Sequence, residues 1–389
     1  MPAPHAPAPA PALTVGEVLA GRLVRPLFQP IVDLSTRTVV GLEALARGPA
    51  GTDLEFPDRL FGAARAAGRL GELDMLCSER ALEVAVAAPN PPPLLFVNAE
   101  SGVLDQPLSP RLVELLRNGF PFRQILEFTE RALPAVPGSL LRVAGIVHRW
   151  GNGLALDDVG ADPMSLAFLP LVEPEVIKLD MSIVRNPDAP ATRATCEVVR
   201  DQARRTGAIL VAEGIETEED FGTARELGAH WGQGWLFGRP VPIEQAGDRF
   251  DVDAAGVLPK ARPGFHQPAG TPFSIAAGHG PVVTADPGAV AVAMARLRDT
   301  VAADAASVVV TSQPLAGTGV DASPARWAEG AGSLIVLDDP IPGEFAAVVL
   351  GPGHGYAVCI QSSGTTELVA LDHLPTVATI ARVLLNRHR

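Results

Sequence analysis

"VVGLEALARG", Val39 to Gly48, is the stretch on which the fold turns. Its first half reads as a buried strand, apolar and partly β-branched. It then sets Glu43 and Arg47 among small and apolar neighbours. A buried carboxylate is costly unless something cationic faces it. Two readings follow. Either Glu43 pairs with Arg47 and covers the end of a barrel, or Glu43 is a metal ligand.

Working outward, "PLFQPIVDL" (26–34) and "TVVGLEALAR" (38–47) are joined by a short polar turn and pair as a hairpin. Strand and helix patterns then alternate. "PDRLFGAARAAG" opens on Pro57 and closes on Gly68, and a second helix runs through "ELDMLCSERALEVAVA". Apolar strands follow at "LLFVNA", "QILEFTE", "LALDD", "VIKLD" and "AILVAEG", with a last one around "GQGWLFGRP". This alternation, over a length close to the roughly 250 residues of a (β/α)8 barrel, predicts a TIM-type barrel at 14–250 with an opening antiparallel hairpin. A doubly wound sheet usually carries a Gly-rich loop after its first strand, and none is present. Residues 251–271 are Pro-rich and aperiodic and read as a linker. Residues 272–389 show five strand patterns between two helices, a smaller α+β domain. Residues 1–13, "MPAPHAPAPAPAL", read as a disordered Pro/Ala tail without signal-peptide character.

Composition narrows the function. The 389 residues are 47% hydrophobic, ample for a core, and carry a net charge of −13. That speaks against a DNA or RNA polymer as partner and against an anionic membrane surface. No apolar run is long enough to span a bilayer. The cysteines, Cys77, Cys196 and Cys359, show no paired spacing and fit a cytoplasmic protein with buried thiols.

The chemistry gathers at the C-terminal ends of the proposed strands: Glu43, Asn98, Glu127, Asp157, Asp158, Lys178, Glu213 and Gln233. Barrel active sites are built at that rim from several strands. Singly, each has a plain reading: Asn98 a turn residue, Asp157–Asp158 a helix cap, Lys178 a solvated charge. Together they would be an acid cluster that repels itself unless a cation is bound. The ligand types, carboxylates and an amide, are all oxygen donors, which suits Mg²⁺, Mn²⁺ or Ca²⁺. Two adjacent aspartates at a strand end can reach two metals, the clamp used for in-line attack on a phosphodiester.

These motifs resemble the EAL-domain cyclic di-GMP phosphodiesterases. "GLEALAR" looks like the name-giving motif, and "FQPIVDL", "FVNAE", "LEFTERAL", "LALDDVG", "VIKLD", "VAEGIET" and "GQGWLFGRP" follow in order. The resemblance implies a barrel that cleaves cyclic di-GMP to linear pGpG with two Mg²⁺ or Mn²⁺. It implies that Glu43, Asn98, Glu127 and Asp157 hold one metal, and Asp157 and Asp158, with Glu213, the other. Lys178 would orient the attacking water or stabilise developing charge. Glu213 would be a ligand or proton acceptor, and Gln233 would steady the water region. Gln29 and Arg47 would bind substrate, Arg47 at a phosphate, and Glu130 would anchor a loop. A homodimer through the barrel is also implied. One stretch departs: after the Asp pair the family usually reads Asp-Asp-Phe-Gly-Thr-Gly, and here it is "DDVGAD". The C-terminal domain resembles a DICT-type sensory module that would modulate the barrel. The competing reading is a non-hydrolytic cyclic di-GMP receptor. Degenerate members of the family usually lose metal ligands, and every expected ligand position is filled here.

Overall fold

The computed structural model describes residues 13–100, 104, 106–129, 135–160, 162, 164–247, 249–321 and 323–387. The expected tail, up to residue 12, lies outside them, as does Glu130. Eight strands close a barrel: β1 (Arg25–Asp33), β2 (Val39–Arg47), β3 (Leu94–Ala99), β4 (Arg123–Thr129), β5 (Gly153–Val159), β6 (Val176–Leu179), β7 (Ile209–Ala212) and β8 (Trp231–Gln233). β1 runs antiparallel to both β2 and β8, and the other neighbours are parallel. The opening hairpin is therefore part of the closed barrel. Its turn is fixed locally: the Asp33 carboxylate accepts the amides of Ser35 and Thr36 at 2.7 and 3.0 Å, and Arg37 takes φ 59°.

The strands read as apolar runs because both faces are covered, the outer one by helices such as Pro57–Ala66 and Leu70–Ala87. Side chains alternate across a strand, and this alternation builds the site. Ile31, Phe96, Ile125, Ala155, Val176, Val211 and Trp231 form a buried apolar layer inside the barrel. Two residues from each, on the same face, stand Gln29, Asn98, Glu127, Asp157, Lys178, Glu213 and Gln233. On β2 the matching floor position is Gly41, where a Cβ would lie 2.8 Å from that of Leu94. The polar rim rests on a dry floor.

The second unit is a six-stranded sheet in the order β11-β10-β12-β13-β14-β9. Its strands are β9 (Val283–Thr284), β10 (Val308–Thr311), β11 (Ser333–Val336), β12 (Glu344–Gly351), β13 (His354–Ser362) and β14 (Thr366–Leu371). β10 and β11 are parallel and the rest antiparallel. β9 is too short to leave a pattern in the sequence. Helix Pro287–Ala303 covers one face, through Leu297 and Val301 against Phe345 and Val349. Helices Pro272–Ala277 and Leu374–Leu385 cover the other, whose core is continuous with the barrel helix Ser165–Val172.

The junction is tightly bonded. Arg382, 2% exposed, donates to the carbonyls of Leu171 (2.9 Å) and Pro170 (2.6 Å), and Glu173 lies 3.6 Å away. Arg262 pairs with Glu173 at 2.7 Å, and both guanidinium groups lie against the Phe265 ring. His266 is fully buried with Nε2 2.8 Å from Val172 O, so that nitrogen carries the proton. The Pro-rich stretch is thus packed along the barrel.

Candidate active site

Lys178, 1% exposed, is the centre of the rim. Its Nζ lies 2.7 Å from Glu213, 3.0 Å from Glu127, 3.1 Å from Asp157 and 3.4 Å from Glu43. Glu43 also accepts from the Asn98 amide (3.0 Å) and from Gln233 Nε2 (2.7 Å). Gln233 Nε2 is 3.2 Å from Gln29 Oε1, and Gln29 in turn donates to Gly238 O at 3.1 Å. The structure therefore brings together Gln29, Glu43, Asn98, Glu127, Asp157, Lys178, Glu213 and Gln233. The neighbours of Glu43 are Lys178, Asn98 and Gln233. Arg47 instead donates to Ala46 O at 2.8 Å, half-buried, and lines an adjoining cavity.

Asp157 and Asp158 depend on a local irregularity. The β5–β6 register shifts between Leu156 and Val159, and Asp158 takes φ 58°, a left-handed conformation that aspartate tolerates better than most residues. The bulge turns the second carboxylate toward the rim. Oxygens of Asp157, Asp158 and Glu213 come within 4.8 Å of one another, a spacing that suits a shared cation. Beyond the bulge, Asp162 accepts the Met164 amide at 2.9 Å and its carbonyl takes the Ser165 amide at 3.0 Å, so it opens helix Ser165–Val172. Ala161 and Pro163 lie outside the described residues.

One ammonium does not balance four carboxylates. Burial, then repulsion from Glu43, pushes Glu127 well above the ordinary range. Burial and Asp157 push Glu213 up to about 8. Burial also opposes ionisation of Glu43, but Lys178 and the two amides outweigh it and its carboxyl falls below the usual value. Burial disfavours the charge on Lys178, yet Asp157, Glu127, Glu213 and Glu43 together raise it well above an ordinary lysine. Both Glu127 oxygens and Asp157 Oδ1 are buried and accept no hydrogen bond among the described residues, although Lys178 is at ion-pair distance. Buried acceptors in that state cost free energy. A hard divalent cation satisfies these oxygens and the surplus charge at once.

A cavity of about 440 Å³ opens beside the rim, lined by Arg47, Arg65, Asp74, Asn98 and Thr129 among others. Asp74 is the residue that sequence reasoning missed. It lies on helix Leu70–Ala87, 5% exposed, accepts the Glu100 amide at 3.3 Å, and burial pushes its carboxyl up to about 8. The signal was present: Leu70, Asp74, Cys77 and Ala81 share one helical face, and an acid in that apolar stripe is out of place.

Comparison with known proteins fits this picture. The EAL domain family matches residues 16–240. A probable cyclic di-GMP phosphodiesterase, PdeB of Escherichia coli, is 33% identical over 224 residues, covering 56% of this chain and 42% of its own. The cyclic di-GMP phosphodiesterase NbdA of Pseudomonas aeruginosa is 30% identical, covering 56% and 29%. The chain thus spans less than half of these curated relatives. Among solved structures, Klebsiella pneumoniae BlrP1 in a manganese/cyclic di-GMP complex aligns with TM-score 0.50 and 27% identity, covering 57% of each chain. The FimX EAL domain of Pseudomonas aeruginosa, bound to cyclic di-GMP, aligns with TM-score 0.53 at 18% identity, over 60% of this chain and 97% of its own, a likeness of fold.

Proposed function

The chain belongs to the EAL-domain family, and on that premise we propose that it hydrolyses cyclic di-GMP to linear pGpG with divalent metal, Mg²⁺ or Mn²⁺. The observation that carries the reading is the surplus of carboxylate around Lys178, with buried oxygens that accept nothing. Glu43, Asn98, Glu127 and Asp157 would hold one cation, and Asp157, Asp158 and Glu213 the second. When bound, such a pair activates water and neutralises charge on the phosphodiester. Lys178 would orient the attacking water and balance charge developing on the phosphoryl oxygens. Glu213, in its ionised form, would help hold the second cation or accept the water's proton. Water would attack in line, the P–O bond to one ribose 3′ oxygen would break, that oxygen would take a proton from solvent, and linear pGpG would leave with a 5′ phosphate. Gln233 and Gln29 would keep Glu43 oriented, with Gln29 also reaching substrate, and Arg47 would meet a phosphate. Glu130 would anchor the following loop.

Asp74 adds recognition to this scheme. An ionised carboxylate can accept both the ring N–H and the exocyclic amine of guanine, and the cavity of about 440 Å³ that it lines is large enough for a purine. We assign the barrel to 14–250, a linker to 251–271, and a DICT-like regulatory domain to 272–389. A barrel-mediated homodimer and a cytoplasmic location complete the proposal. Among the described residues no helix is long and apolar enough to cross a membrane.

The test is incubation of purified protein with cyclic di-GMP and Mn²⁺, followed by separation of nucleotides. Appearance of pGpG that stops on chelation supports the reading. Tight binding without product under any metal supports the non-hydrolytic receptor, and absence of binding sinks both.

A further inference from the structure

We propose that the end of the barrel opposite the polar rim carries a binding site for a small aromatic anion, a flat ring bearing one negatively charged group. The site lies where β3, β4 and β5 begin: Pro93 directly precedes β3, Phe122 precedes β4 and Asn152 precedes β5. Barrel chemistry gathers at the other, C-terminal ends of the strands. Nothing in the metal reading uses this face.

Two cavities meet there, of about 610 and 340 Å³, and share a wall made of Phe120, Phe122 and Arg123. The larger has the size and the mostly apolar walls of a small-molecule site. Its two shared phenyl rings lie parallel, with centroids 5.2 Å apart and 3° between their planes. Phe122 is buried, whereas Phe120 keeps part of its surface open. A ligand ring laid on Phe120 continues the stack. Phe250 and several prolines complete the walls, and Val252 lines the same cavity at 80% exposure.

The charge at this end is one-sided. Among the described residues both linings hold arginine and no carboxylate, in a chain whose net charge is −13. Arg249 is exposed, and its side chain makes no hydrogen bond or ion pair among the described residues. Arg123 donates from Nη2 to Pro259 O at 2.8 Å, and its Nη1 makes no hydrogen bond among those residues. Its Nε is sealed from solvent and takes no part. The acids nearby are spent or lie aside. Glu175, whose field reaches Arg123, accepts Leu154 N at 2.8 Å and pairs with His148 at 3.1 Å. Asp251 accepts the Asp253 amide at 3.0 Å, and neither of these two lines either cavity. Two guanidinium groups without an acid call for an anion, and guanidinium also stacks on rings. The aromatic walls select against a bare inorganic ion. The binding rests on no part of the phosphodiesterase reading.

The probe is 2-naphthoate, titrated by calorimetry into the full chain with chelator present. 2-Naphthamide supplies the ring without the charge, and inorganic phosphate the charge without the ring. The expected result is saturable one-site binding of 2-naphthoate, at least tenfold tighter than either control. Affinity should fall at least tenfold in Arg249→Glu and in Val252→Glu, two exposed positions where substitution spares the core. Trp150→Ala, which touches the smaller cavity alone, should leave it within twofold. Excess cyclic di-GMP should not displace the probe. Unsaturable binding, a control that binds as tightly, or affinity unchanged in both glutamate variants overturns the site. A clear loss in Trp150→Ala, or displacement by cyclic di-GMP, puts the ring elsewhere and overturns it too. The expected binding in a protein that neither binds nor cleaves cyclic di-GMP leaves the site standing and removes the phosphodiesterase reading.

Discussion

Lys178 and Arg382 are both cations buried almost completely, and their surroundings differ in kind. Arg382 is satisfied: two carbonyls accept its protons, Glu173 is near, and the Phe265 ring covers its face. Lys178 is outnumbered, with four carboxylates inside 3.4 Å and Glu127 and Asp157 oxygens left without a hydrogen bond. A cation that balances its neighbours holds two parts of a chain together. One that cannot balance them leaves room for more positive charge. The first arrangement is a joint, and the second is a site that stores instability for use in binding.

Substitution should separate the two. Lys178→Met leaves the carboxylates facing one another. We expect a loss of about 3–5 kcal/mol in unfolding free energy without metal, partly restored by Mn²⁺, and hydrolysis down at least a hundredfold. Glu127→Gln should do the reverse for stability, raising the metal-free melting temperature while weakening Mn²⁺ binding tenfold or more. Equal destabilisation by both variants would mean that the cluster is balanced as it stands. Arg382→Met should cost about 3 kcal/mol, and Mn²⁺ should not restore it. Calorimetry with and without metal reads all three.

A smaller effect comes from pH. Asp74 is protonated in the fold up to about 8, whereas in the unfolded chain it ionises near an ordinary carboxyl value. Its raised folded value means that the native state holds the extra proton between those limits. Its contribution therefore favours the fold at low pH and is lost as pH rises from about 4 to about 8. In Asp74→Asn this component should vanish. Binding of guanine by the ionised form predicts the opposite trend in affinity, strengthening up to tenfold per unit between pH 6 and 8. A flat affinity profile in the parent would remove Asp74 from recognition.

The legibility of the chain follows from the same physics. The barrel and its rim could be read because each strand is a short apolar run that stops at a polar residue, and Glu43, Glu127, Asp157 and Lys178 all sit at that break. Asp74 was hidden because a helical phase, rather than a strand end, places it. Arg382 was hidden because its acceptors lie more than two hundred residues away at the end of another helix, and no local pattern announces that. The role of Asp158 was legible at the strand end, but its left-handed conformation was not, since the bulge comes from pairing with β6.

The "DDVGAD" loop gives the finest test. Where the family usually has Phe and Gly, the chain has Val159 and Asp162. The structure gives both residues work. Val159 is fully buried in the core shared with helix Ser165–Val172, so Phe there would overpack it at a cost of about 1–3 kcal/mol. Asp162 accepts the amide that leads into that helix, and removing such a bond costs about 1 kcal/mol. Asp162→Gly should therefore lower stability by about that amount and leave the Mn²⁺ requirement of hydrolysis unchanged within twofold. A clear drop in the Mn²⁺ needed for half-maximal rate would mean that the charge of Asp162 burdens the second cation after all, and that the loop trades metal affinity for a well-started helix.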